Sequence, residues 1–131
     1  MDNQNKTFKL GKQIIHEDDL KIPVEYKGEV FTLLYPNPLQ RTSIETEIAR
    51  RLGGMPRESF SVEHITMVVA NSYIDNLLVL EESPTWFKSP WTCYDEELLG
   101  TLYAGYLQFR TRIQQKISDE GFAVNSKSDS S

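Results

Sequence analysis

The chain is 131 residues long, 39% hydrophobic and 25% charged, the composition of one globular domain large enough to bury a core without staples. Its 14 Lys plus Arg against 19 Asp plus Glu give a net charge of -5, which disfavours nucleic acid as a partner because phosphate recognition needs a basic face. The single cysteine, Cys93, excludes an intramolecular disulfide and a cysteine-rich zinc site, and fits a reducing cytoplasm.

Residues 1–21 read as a partly ordered N-terminal arm. Its polar start, MDNQNKTFKL, has no apolar segment of the signal-peptide kind, so export by that route is not expected. Phe8 with Leu10 and Ile14 with Ile15, separated by Gly11, suggest short strands or an extended arm. The strongest β signal follows at residues 22–35, IPVEYKGEVFTLLY, where two runs rich in Val, Phe and Tyr flank Lys27-Gly28. This predicts a β-hairpin, with Pro23 on an edge or at a strand start because it cannot donate to a ladder.

Asn37 as N-cap and Pro38 at the first helical position open a surface helix, whose apolar face is Leu39, Ile44, Ile48 and Leu52. Gly53-Gly54 ends it. A second helix is expected over residues 61–80, capped by Ser61 and stapled by Phe60 and Ile65. Val62, Ile65, Val68, Val69, Tyr73, Leu77 and Leu80 cover most of its circumference, and His64, Asn71, Asp75 and Glu82 form one narrow polar stripe. It is the expected centre of the core. Asn71, Asp75 and Asn76 interrupt the apolar run too early for a membrane span.

Residues 81–94, EESPTWFKSPWTCY, read as a loop that carries both tryptophans. Asp95 then caps a last helix, whose apolar residues from Leu98 to Ile117 keep helical spacing until Gly121. Gly100 and Ala104 lie four apart and would let another backbone come close. A polar tail, residues 122–131, is expected to be disordered. The fold class is therefore α+β, mainly α: an N-terminal hairpin packed on a three-helix body with a buried central helix, forming one domain over residues 22–121.

Catalytic chemistry finds little support. His16 and His64 form no recognisable pair with Cys93 or a serine, and no P-loop, dinucleotide fingerprint or HExxH is present. The acidic clusters lack metal-ligand spacing, so no metal and no cofactor are expected. A small metal-dependent hydrolase using Glu81, Glu82 and Asp95 is the enzymatic rival. The aromatic loop is more informative: Trp86, Phe87, Trp91 and Tyr94 could form a surface for a polypeptide partner, since aromatic side chains dominate interface hot spots. Alternatively the loop folds back over the core.

The order of elements resembles the tail-assembly chaperones of long-tailed bacteriophages. The parts that carry the resemblance are the hairpin with its Lys27-Gly28 turn, the FSVEHI segment (residues 60–65), PTWF (84–87) and YDEELLGTLYAGYLQF (94–109). It implies a non-enzymatic protein of the host cytoplasm that binds the long, helical tape-measure protein during tail assembly and is absent from the finished particle. In that family a longer frameshifted product commonly engages tail-tube subunits. The alternative is a structural tail or baseplate subunit that oligomerises through its hairpin edge and N-terminal arm.

Overall fold

A computed structural model describes the backbone of residues 7–10 and 13–129 and the side chains of residues 19–118. Strands β1 (Thr7–Leu10) and β2 (Gln13–His16) pair antiparallel, Thr7 opposite His16, so the arm takes the short-strand form. The side chains of Phe8, Leu10, Ile14 and Ile15 lie outside the described residues. A 3-10 turn, Glu17–Leu20, leads into β3 (Lys21–Tyr26), which pairs antiparallel with β4 (Glu29–Leu34).

The β3–β4 connection is two residues, with Lys27 at φ 50° and Gly28 at φ 84°. Positive φ at both positions is the type I′ geometry, whose twist matches the strands it joins. Glycine adopts it freely, whereas lysine does so at a steric cost. Lys27→Asn is accordingly expected to raise stability by about 1 kcal/mol, read as a higher urea midpoint at constant m-value.

Strand alternation places Ile22 opposite Leu33 and Val24 opposite Phe31, and all four are buried. Pro23 sits on β3, the strand that bonds only to β4 in this sheet, where a missing N–H is tolerated. The other edge of β4 is covered by the chain itself. Leu78 bridges Leu33, Val79 N–H donates to the Thr32 carbonyl at 2.8 Å, and Thr32 N–H donates to Ser83 Oγ at 3.2 Å.

Helix α1 (Pro38–Arg51) begins with a capping box: Gln40 N–H donates to Asn37 Oδ1 at 2.8 Å, and Asn37 N–H donates back to Gln40 Oε1 at 2.9 Å. Gly53 and Gly54, at φ 65° and 72°, turn the chain away at its end. Its inner face is Ile44, Ile48 and Leu52. Leu39 is exposed, because it lies outside the i, i+4, i+8 row those three define.

Helix α2 (Val62–Leu77) starts at Ser61, whose Oγ accepts from His64 N–H at 3.0 Å. Val68, Tyr73, Ile74 and Leu77 are buried, and the helix contacts α1, α3 and β4. It ends earlier than residue 80: Leu78 N–H still donates to the Ile74 carbonyl at 3.0 Å, but Leu78 already bridges Leu33 and Val79 N–H turns to the Thr32 carbonyl of β4. Two of the expected faces differ as well. Val62 and Leu80 are exposed, and Asn71 is buried at 4% exposure, so the polar stripe does not face solvent along its length. Phe60 stacks on the His64 ring at 5.2 Å.

Helix α3 (Glu96–Asp129) is N-capped by Asp95, whose Oδ1 accepts from Leu98 N–H at 3.1 Å. Leu98, Leu99, Leu102, Tyr106 and Ile113 enter the core. The helix continues past Gly121, since a lone helical glycine costs only about 1 kcal/mol relative to alanine and need not break the ladder. The side chains of the polar tail, and residues 130–131 entirely, lie outside the described residues. Close approach occurs at Gly105, where a Cβ would stand 2.6 Å from Val24 Cγ2, and not at Gly100 or Ala104, which are exposed. Among the described residues no helix is long and apolar enough to cross a membrane.

Candidate functional site

The loop between α2 and α3 divides its aromatic residues: Trp86 and Phe87 meet edge to face at 6.0 Å on Phe31, and Trp91 and Tyr94 take no part in that contact. Phe87 turns inward, 3% exposed, with its ring edge-on to Phe31 at 5.5 Å. It belongs to the core under the hairpin, and this is the lid-like folding back that competed with an interface role. Trp86, 53% exposed, lies against the same Phe31 at 5.9 Å, and its indole N–H donates to the Glu29 carboxylate at 3.0 Å. Tyr94 is fully exposed. Trp91 lines a concavity.

That concavity is an open groove of about 870 Å³ between the first half of α2, the 3-10 turn Pro90–Thr92 and the start of α3. Ser89 fixes the turn by accepting from Trp91 N–H at 3.1 Å. Arg51 of α1 lays its guanidinium over the Trp91 ring at 4.0 Å and pairs with Glu47 at 3.0 Å, so the indole is held from outside the groove lining. The indole N–H itself is buried without an acceptor among the described residues. Met67 and Ala70 from α2 and Leu99 and Gly100 from α3 contribute to its lining. Residue type marks none of Met67, Ala70 and Leu99 for binding; the mid-helix Gly100 is the one signal for this site that the sequence carries.

His64 and Cys93 also line the groove, but no hydrogen bond joins them among the described residues. The His64 ring is stacked on Phe60, and Cys93 Sγ lies 3.9 Å from the Asp95 carbonyl. Two of the three acids of the hydrolase alternative are engaged, each with different partners. Glu82 pairs with Lys21 at 2.6 Å, while Asp95 is occupied by its cap and by the Tyr26 hydroxyl at 3.0 Å. Among the described residues no group of three or more His, Cys, Asp or Glu is placed to hold a metal ion.

The chain matches no family model, no curated protein and no solved structure.

Beside the groove, the body of the protein is fixed by a tyrosine cluster. Tyr106 stacks on Tyr73 at 5.2 Å and on Tyr103 at 6.0 Å, and the Tyr73 hydroxyl donates to Glu45 at 2.6 Å. Burial, then the bond to Glu45, pushes Tyr73 well above the ordinary tyrosine range, and burial also raises Tyr103 and Tyr106. Tyr26 is raised by burial and by its bonds to Asp95 and Glu97. A folded-state pKa above the unfolded value contributes stability that is fully present below the unfolded pKa and is lost as pH rises through the folded one. Alkaline titration followed by phenolate absorbance should therefore show these four tyrosines ionising late, above about pH 10, together with unfolding. On the acid side, the Leu98 N–H holds the Asp95 carboxyl below the usual carboxylate range, so its contribution disappears as pH falls through that lowered value.

Proposed function

We propose that the protein is a non-enzymatic assembly chaperone of the phage-tail kind, which holds a long helical, tape-measure-like protein in the host cytoplasm during tail morphogenesis. The observation that carries this reading is the Trp91 groove. It offers apolar side chains from two helices and a loop, with the indole anchored from behind by Arg51, as a protein-binding hot spot requires. The separate engagement of Glu82 and Asp95 and the absence of a hydrogen-bonded nucleophile–base pair among the described residues favour binding over catalysis. For the alternative of a structural tail subunit joined by strand addition, one edge of the β3–β4 hairpin is already taken by residues 78–83 and the other carries Pro23.

The test is a pull-down of tagged protein from the cells that express it, with mass spectrometry of the bound proteins and of purified virions. Enrichment of one very long helical protein, with this chain absent from virions, is expected. Recovery of this chain in virions would move the assignment to a structural tail subunit. Trp91→Ala, checked for folding by circular dichroism, should weaken the captured partner about tenfold or more. Unchanged affinity would remove the Trp91 groove from the binding surface.

A further inference from the structure

We infer that the groove between α2 and α3 seats a cationic amphipathic helix of the partner, and that Gly100 sets how closely that helix approaches. The inference rests on the protein-binding reading above and deepens it by naming the chemistry of the occupant.

Gly100 is the first ground. It lies within α3, is exposed, and a Cβ built on it meets nothing within 4 Å. Its φ is not in the left-handed region that would require glycine; Gly28, Gly53 and Gly54 are the glycines found there among the described residues. A helical glycine is unfavourable relative to alanine. For Gly105 the Val24 side chain explains that penalty, whereas nothing among the described residues explains it for Gly100. The residue does line the groove, as does the small Ala70 of α2. Short residues among longer ones such as Met67 leave room for the ridge of a second helix.

Charge is the second ground. Glu63 and Glu96 are the acidic side chains of the lining, and among the described residues no lysine or arginine belongs to it. Neither glutamate forms an ion pair among the described residues. A helix with Lys or Arg beside its apolar stripe would meet both carboxylates, and the chain's net charge of -5 would steer its approach. A nucleic acid would be repelled by the same charges. The third ground is Asn71, 4% exposed and part of the lining, whose amide has no hydrogen-bond partner among the described residues. It can donate to and accept from the occupant.

The test uses the full chain and two fluorescent peptides of about 20 residues with the same Leu/Ala stripe, one carrying Lys and the other Glu on its polar face. The Lys peptide should bind, more weakly as salt rises, and the Glu peptide at least about tenfold more weakly. Gly100→Leu should weaken the Lys peptide about tenfold or more while circular dichroism and the thermal transition persist, since the added side chain points into open space. The double variant Glu63→Gln, Glu96→Gln should flatten the salt dependence. Unchanged binding by Gly100→Leu, whose charge is that of the parent, would show that the peptide adheres by charge alone and overturn the inference. So would equal binding of the two peptides, or a dimer in sedimentation velocity that Gly100→Leu dissolves, which would make a second copy of this chain the occupant. The two readings fail separately. If Gly100→Leu still captures the long helical partner from cells, the groove assignment falls and the chaperone survives. If the unaltered chain captures no such partner while the peptide results hold, the chaperone falls and the groove survives.

Discussion

Phe87→Ala is expected to destabilise the protein by about 3–5 kcal/mol, the range for removing a buried aromatic ring. The ring is almost fully enclosed and lies edge-on to Phe31, which is itself wholly buried. Phe31 is fixed by its strand pairing with Val24, so the cavity left behind cannot readily collapse. The neighbouring Trp86→Ala should cost far less, because that indole is half in solvent and its bond to Glu29 is at the surface. Tyr94→Ala, at a fully exposed position, should stay within about 0.5 kcal/mol of the parent. Urea unfolding followed by tryptophan fluorescence separates the three. A Phe87→Ala protein that keeps the parent's midpoint yet loses its partner would return Phe87 to the interface, where the loop's aromatic composition alone could have placed it.

The same loop shows why some features were legible in the sequence and others were not. Asn37-Pro38, Ser61, Asp95 and Lys27-Gly28 act on backbone within a few residues, so caps and turn could be read locally. The end of α2 could not. Leu78 and Val79 continue the helical spacing, and what takes them out of the helix is a pairing with Thr32 and Leu33, far away in the chain. Asn71 and Phe87 follow the same logic. Their burial depends on which neighbour arrives from elsewhere, and residue type carries no record of it. The groove is a further step removed, because it lies between Ala70 and Gly100 and is lined by whatever α2 and α3 fail to cover. A mid-helix glycine signals that something comes close. It does not identify what.

Gly105 and Gly100 make that distinction measurable. Gly105→Ala would put a methyl 2.6 Å from Val24 Cγ2, well inside contact distance. Val24 is β-branched, buried and held in register opposite Phe31, so its methyl groups have few rotamers to escape into. Overpacking of this kind costs about 1–3 kcal/mol and sometimes more, against which alanine's helix propensity returns about 1 kcal/mol. The net expectation is a loss of up to about 2 kcal/mol. Gly100→Ala should instead stabilise by up to about 1 kcal/mol, because its Cβ meets nothing. The decisive variant is Val24→Ala with Gly105→Ala. If α3 reaches β3 through this contact, the double variant should be more stable than the sum of the single changes predicts, by about 1 kcal/mol or more in a double-mutant cycle. Additive effects would mean that α3 shifts away from β3 when the methyl is added, and that the glycine does not fix their separation. Opposite signs at the two positions would show that one glycine is used for packing within the chain and the other is kept at a cost the fold does not explain.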